Sequence, residues 1–243
     1  MRYSHCCVNN LPRGIFNAAE CALMAEGDAL VLNTYLPLAA TAGDGVKLVV
    51  SGDYLTRGTA AVNVECDRAL TLKLRIPAWS RTAEVSVDGA ARTARPGYAE
   101  IEFAPGRHDL ELAFDFRPRL EVFPYPGEPE KLPEWHRRRY FNGQGDLGLH
   151  PAAGYRALLS VGPLKLARSK LIGNNPAEWA DAATLASGEW SCRLTPADLA
   201  GVFAGFEAEF ISSSGASFRT RVCDFASAGN VGSCDPELFS MFF

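Results

Sequence analysis

The run Leu70-Thr71-Leu72-Lys73-Leu74-Arg75-Ile76, stopped by Pro77, decides how this chain is read. Apolar and polar residues alternate with a period of two along the whole run, the pattern of a strand with one buried and one solvated face. A helix of that length would scatter the same leucines around its axis instead of lining them up. Working outward, the alternation recurs upstream in Thr59 to Glu65 and downstream in Glu84 to Val87, Tyr98 to Phe103 and Asp109 to Phe116. Ala29 to Leu36 and Val46 to Val50 read as further strands, separated by the turn Gly43-Asp44-Gly45, and Asp88-Gly89 marks another turn. Roughly seven short strands, with turn signals every 8–12 residues or so, predict an antiparallel sandwich. Arg117-Pro118-Arg119 closes it.

Before the first strand the period changes. Asn10 can cap a helix, Pro12 suits its first turn, and apolar residues recur at Leu11, Ile15, Ala18, Ala19, Ala22 and Leu23. Glu26-Gly27-Asp28 carries the glycine that commonly ends a helix. A single amphipathic helix at this place must bury its apolar face against something. Downstream, residues 121–150 shift in composition, with prolines and glycines from Pro124 to Pro129 and a basic aromatic cluster, Trp135-His136-Arg137-Arg138-Arg139-Tyr140. That cluster reads either as a carbohydrate or phosphate site or as a solvated loop. Strands are expected again at Tyr155 to Ser160, Pro163 to Ala167, Glu189 to Leu194, Phe206 to Ile211, Arg219 to Asp224 and Leu238 to Phe243, with a short helix from Pro196. The expected fold is mainly β, a short N-terminal helix followed by two β-sandwich-like domains, with segments 1–27, 28–120 and 121–243.

The totals narrow the class. Hydrophobic residues make up 47% and charged residues 21% of the 243, an ordinary globular composition. A net charge of −4 recruits neither nucleic acid nor an acidic membrane. The apolar run Ala29 to Ala42 is broken by Asn33, Thr34, Pro37 and Thr41, so no membrane span is expected, and Met1 to Cys7 lacks the apolar core of a signal peptide. Seven cysteines, an odd number without a regular framework, point to reduced thiols and a cytoplasmic product. Cys21, Cys66 and Cys192 read as small buried apolar residues.

Chemistry concentrates in Cys6-Cys7, ahead of the helix. Thiolates attack carbon and bind soft metals, and a helix N-terminus lowers a thiol pKa. Three readings stay open for the pair: zinc ligands, a nucleophile with its neighbour held by metal, or two structural cysteines. A closed structural zinc site takes about four ligands, and no CxxC or HxxxH spacing completes one. The sequence has no GxSxG, P-loop, GxGxxG or HExxH motif. His5, His108, His136 and His150 are scattered, and Glu65, Asp67, Glu100 and Glu102 read as solvated strand-edge carboxylates.

Cys6-Cys7-x-x-Asn10-x-Pro12-Arg13, opening a helix, resembles the motif of the family-127 glycoside hydrolases of β-L-arabinofuranosidase type, a family first grouped as a domain of unknown function. Three further signatures match in order: Leu74-Arg75-Ile76-Pro77-Ala78-Trp79 with Val85-Ser86-Val87-Asp88-Gly89 and Gly97-Tyr98-Ala99-Glu100-Ile101, then Gly162-Pro163-Leu164-x-Leu166-Ala167-Arg168, then Cys223-Asp224-Phe225-Ala226-Ser227-Ala228-Gly229-Asn230. The resemblance implies a large (α/α)6 barrel followed by two β-sandwich domains, so that this chain looks like the end of the barrel plus both sandwiches. It further implies that Cys6 is the nucleophile and Cys7 a zinc ligand, in a retaining hydrolysis of arabinose-containing glycans through a glycosyl thioether. The family's other zinc ligands, a glutamate and a third cysteine, and its general acid come from the barrel. Cys66 lies on an expected sandwich strand and is rejected as a substitute. The chain alone is therefore expected to hold no zinc tightly and to be inactive, its partners being the glycan and a barrel domain or a second copy. The alternative is a non-catalytic sandwich module that binds carbohydrate or packs on a chain carrying the barrel.

Overall fold

The computed structural model describes residues 5–43, 45–125, 154–174, 182–228 and 239–240, and the chain divides into two compact units, 1–116 and 117–243. Both are mainly β. The first opens with helix α1 (His5–Glu20) and continues through β1 (Leu23–Glu26), β2 (Ala29–Leu32), β3 (Leu38–Ala42), β4 (Val46–Ser51) and β5 (Thr59–Cys66). It ends with β6 (Leu70–Ile76), β7 (Ala83–Val87), β8 (Ala90–Ala94), β9 (Gly97–Phe103) and β10 (Gly106–Phe114).

These strands form two sheets, β1-β2-β6-β9 and β3-β4-β5-β10-β7-β8. β4, β5, β6 and β10 hide every second residue, as their alternation requires. One core results: Leu48, Val50, Val62, Val64, Leu110 and Leu112 from the larger sheet share it with Leu32, Leu72, Leu74, Ile76, Ile101 and Phe103 from the smaller. Two sheets enclosing a single apolar layer make a sandwich. Near one end sits a group of rings, Tyr35, Tyr54, Trp79 and Phe114, with centroids 5.0–5.9 Å apart. Tyr35 is 1% exposed and donates its hydroxyl to the Arg75 carbonyl at 2.9 Å. Just past Trp79, the buried Ser80 hydroxyl donates to the Thr82 carbonyl at 2.6 Å and accepts the Asp115 N–H at 2.9 Å. The Leu74–Trp79 signature is thereby explained as architecture: it runs a core strand into the aromatic group and ties the corner to the chain after β10.

The structure corrects the sequence reading in this unit at four points. The helix ends at Glu20 and not near Gly27, because residues 23–26 pair with 29–32 across the two-residue loop Gly27-Asp28. Gly27, at φ +60°, occupies the first central position that II′-type hairpins reserve for glycine, so what reads as a helix stop is a hairpin turn. Secondly, the sandwich is not wholly antiparallel: β2 runs parallel to β6, from Ala29 opposite Thr71 to Leu32 opposite Leu74. The excursion through β3, β4 and β5 in the other sheet supplies the crossover that a parallel pair needs. Thirdly, β3 and β8 were not expected as strands. β8 exposes four of its five residues and follows β7 because Asp88 and Gly89, both at positive φ (49° and 85°), form the primed turn that closes tight hairpins. Fourthly, Cys21 is exposed where a buried thiol was expected, while Cys66 is buried.

The second unit contains β11 (Arg119–Tyr125), β12 (Gly154–Val161), β13 (Leu164–Ser169), a 3₁₀ turn at Lys170–Ile172, α2 (Ala182–Ala186) and β14 (Trp190–Pro196). β15 (Gly205–Ser212), β16 (Ser217–Asp224), α3 (Phe225–Ala228) and β17 (Phe239–Ser240) follow. The strand order is β11-β12-β13-β16-β15-β14, with β17 also on β13. β13 changes partner along its length: Leu164 and Lys165 pair with β12, Leu166 and Ala167 with β16, Arg168 and Ser169 with β17. A strand that passes from one ladder to the next is how sandwich-like units turn corners. The Leu164–Arg168 signature supplies that corner. The expected helix from Pro196 is absent, since Ala197 N–H returns to the Gly205 carbonyl at 2.9 Å and Gly201 takes φ +80°, closing a loop. The Asp224 signature is a helix cap. One carboxylate oxygen accepts the Ser227 N–H at 2.8 Å to start α3, and the other accepts the Ala204 N–H at 3.0 Å. The basic aromatic cluster Trp135–Tyr140 lies outside the described residues.

Candidate functional site

α1 begins at His5, so Cys6 and Cys7 lie within its first turn and not before it. The first four N–H groups of a helix have no intrahelical acceptor, and their partial positive charge favours a thiolate at these positions. Adjacent helix positions stand about 100° apart around the axis, so the pair occupies two different sides of α1. The side chains of both cysteines, and of His5, lie outside the described residues. Pro12 sits inside the helix and not in its first turn. Having no N–H, it leaves the Val8 carbonyl without its usual donor, between the cysteine pair and the rest of the helix.

Among the described cysteine side chains Cys21 is exposed, and the other three are wholly or partly buried. Burial pushes Cys192 up to about 12 and Cys223 up to about 11, the latter helped by the neighbouring Asp224 charge, so both stay protonated near neutrality. Cys66 ends β5, is sealed in the sandwich, and its Sγ donates to the Ala104 carbonyl at 3.4 Å. Among the described residues, no group of three or more His, Cys, Asp or Glu side chains could hold a metal ion. Cys6 and Cys7 supply at most two soft donors, half of what a closed zinc site needs, so the residues described here do not by themselves fit a resident zinc.

His108 is held by geometry rather than poised for chemistry. Its Nδ1 lies 2.8 Å from Asp88 Oδ2 and its Nε2 2.9 Å from the Ala104 carbonyl. Both partners are acceptors, so the protonated ring, with two N–H donors, satisfies both contacts at once. The hydrogen bond to Asp88 raises its pKa first, that to Ala104 second.

Two concave places stand out among the described residues of the first unit. The larger is an apolar groove of about 870 Å³ beside α1, lined by Ile15, Ala18, Ala19, Leu23, Leu36 and Leu38 among others. Every described side chain of α1 from Pro12 to Glu20 is exposed, with Ile15 at 63% and Phe16 at 71%. The apolar face expected of this helix is present and uncovered. The second place is a cleft of about 430 Å³ on the outer face of the four-stranded sheet, lined by Met24, Glu26, Val31, Asn33, Lys73, Tyr98 and Glu100. Sequence reading missed it as a site. Tyr98, Glu100 and Glu102 do share one face by strand alternation, but Glu26, Asn33 and Lys73 reach it only through strand pairing.

Comparison with known proteins places this geometry. Residues 29–115 match the family described as β-L-arabinofuranosidase, GH127 middle domain, which covers nearly all of the first sandwich. No curated protein matches the sequence. Among solved structures, a glycoside hydrolase aligns over 99% of this chain with TM-score 0.63 at 18% identity. A GH127 β-L-arabinofuranosidase from Geobacillus stearothermophilus T6 aligns over 91% with TM-score 0.55 at 21% identity. At those identities the two structures share the fold. The chain spans 39% and 35% of their respective lengths. Residues 29–115, about a third of the chain, are thus similar to the middle domain of glycoside hydrolase family 127.

Proposed function

We propose that this chain is the C-terminal part of a retaining glycoside hydrolase acting on arabinose-containing glycans, with Cys6 as nucleophile and Cys7 as a zinc ligand. The observation that carries the reading is α1. It bears the cysteine pair in its first turn and presents Ile15, Phe16 and the adjacent groove to solvent. Two large side chains left uncovered on one helix call for a packed neighbour, and helices of this amphipathic kind pack on helices. In this reading a helical domain covers α1, completes the donor set around Cys7 and brings the general acid. Cys6 then attacks the anomeric carbon from the face opposite the leaving group and forms a thioether, which water opens with net retention. Zinc, where bound, would keep a coordinated thiol deprotonated. The two sandwiches are scaffold for that site. A cytoplasmic location belongs to the same proposal, in keeping with unpaired thiols in a reducing compartment.

The test uses p-nitrophenyl β-L-arabinofuranoside and metal analysis. The 243-residue chain alone is expected to release no nitrophenol and to carry no stoichiometric zinc. In the enzyme assembled with its helical domain, Cys6→Ser abolishes turnover and Cys7→Ser loses zinc. Turnover by the chain alone, or full turnover by the assembled Cys6→Ser enzyme, overturns the assignment.

A further inference from the structure

The cleft on the outer face of the four-stranded sheet is assembled from all four strands or their immediate ends. Strand register sets Lys73 opposite Glu100 on β9 and beside Val31 on β2, while Met24 on β1 lies opposite Val31. Met24 and Val31 give the cleft an apolar floor. Tyr98, two residues before Glu100 and so on the same face, is 54% exposed. Its hydroxyl donates to Asn33 Oδ1 at 2.8 Å, and Asn33 Nδ2 donates in turn to the Cys21 carbonyl at 3.0 Å. Lys73 Nζ lies 2.8 Å from Glu26 Oε2 and 3.2 Å from Glu100 Oε1.

We propose that this cleft binds a neutral saccharide of one or two rings, seated on the Tyr98 ring. An exposed aromatic ring offers an apolar face with a polar tip, which suits the C–H face and hydroxyl edge of a sugar. The ring is fixed from the side by Asn33, and Lys73 is fixed between two carboxylates, so little rotamer freedom is lost on binding. Lys73 engages one oxygen of each carboxylate. The side chains of Glu26 and Glu100 are 65% and 61% exposed, which leaves each carboxylate accessible to accept sugar hydroxyls. The charge balance chooses among ligands. The lining carries one ammonium against two carboxylates, with Arg75 opposite Tyr98 and Arg92 at the Glu100 carbonyl beside it, so no free positive cradle forms for uronates or phosphates and uncharged polyols are the fitting class. At about 430 Å³ it has the size of a small-molecule site. The proposal goes beyond the hydrolase reading: no atom of Cys6 or Cys7 takes part, and the cleft binds whether or not that reading holds.

Saturation-transfer NMR and titration calorimetry on the full 243-residue chain test it, with arabinobiose and xylobiose as neutral probes and galacturonate as the charged one. A neutral disaccharide is expected to bind with a dissociation constant on the order of millimolar. Tyr98→Ala, an exposed change, keeps the melting curve and weakens binding at least about tenfold, equivalent to roughly 1.4 kcal/mol. Cys6→Ser/Cys7→Ser binds as the parent does, and Glu26→Gln/Glu100→Gln gains galacturonate binding. The proposal is overturned if neither neutral disaccharide receives saturation at about 10 mM, a level well above that constant. It is equally overturned if folded Tyr98→Ala binds unchanged, or if the parent prefers galacturonate.

Discussion

Replacing Ile15 and Phe16 together by alanine separates what α1 does in this chain from what it does in an assembled hydrolase. Full burial of an Ile or Phe side chain is worth about 1.5–3 kcal/mol. With 63% and 71% of these residues still exposed, about 1–2 kcal/mol each remains to be gained by a partner that covers them. The two are neighbours and share that partner, so their contributions need not add; together they come to roughly 2–4 kcal/mol. In the chain alone almost none of that is at stake. Alanine is also the best helix former, so the double variant should unfold within about 0.5 kcal/mol of the parent. In the assembled enzyme the same change should destabilise by the full 2–4 kcal/mol or so, and lower turnover because the cysteine pair rides on the same helix. Urea titrations followed by circular dichroism, with and without the helical domain, read both numbers. A loss above about 1 kcal/mol in the chain alone would show that Ile15 and Phe16 pack within it and would refute the reasoning. So would an assembled variant as stable as its parent.

Tyr35→Phe keeps the ring contacts with Tyr54 and Phe114 but removes the hydrogen bond to the part-buried Arg75 carbonyl; urea unfolding of the first unit should show a loss of about 0.5–1.5 kcal/mol. The His108–Asp88 pair predicts a stability plateau in pH. His108 is raised, so its contribution is complete below about pH 6.5 and is lost as pH rises through its folded value; Asp88 is lowered, chiefly by His108, so its contribution is present above about pH 4 and is lost as pH falls through its folded value. Melting temperature against pH should therefore be flat between these limits and fall on the alkaline side, and His108→Gln should remove that alkaline fall; a parent curve that rises through pH 7 contradicts the assignment.

What could be read from the sequence follows from where each signal is stored. β4, β5, β6, β9 and β10 carry their burial in alternation, so they are legible within a few residues of their ends. β3 and β8 are not, because Leu38-Ala39-Ala40-Thr41-Ala42 and Ala90-Ala91-Arg92-Thr93-Ala94 lack strong β formers; they pair because a neighbour and a turn hold them in register. Met24 to Glu26 carry a helix-like continuation of the apolar spacing, overruled by the hairpin to β2. The parallel β2–β6 pairing is a relation between residues more than forty apart, and no local pattern encodes it. The same division governs the sites. The cysteine pair is a contiguous motif and could be picked out at once, whereas the Tyr98 cleft draws on Glu26, Asn33, Lys73 and Glu100, each an ordinary surface residue until pairing brings them together.

If Cys6 and Cys7 carry the proposed chemistry, their place inside α1 links it to the packing more tightly than a loop would. Phe16 is ten positions beyond Cys6, about 15 Å along the axis at 1.5 Å per residue, on one continuous helix. A helical domain that covers Phe16 and Ile15 is therefore within a helix diameter or so of the first turn, and the contact that stabilises α1 also fixes where its N-terminus points. Pro12 lies between the two functions. By removing one hydrogen bond and crowding the carbonyl of Val8, an interior proline bends a helix or weakens it by about 3 kcal/mol, so an isolated α1 gains nothing from it. Its place makes sense if the half of α1 that packs and the half that carries the thiols must lie at an angle to each other. In that arrangement, the groove beside Ile15 sets the docking of the helix and Pro12 sets the aim of the cysteines.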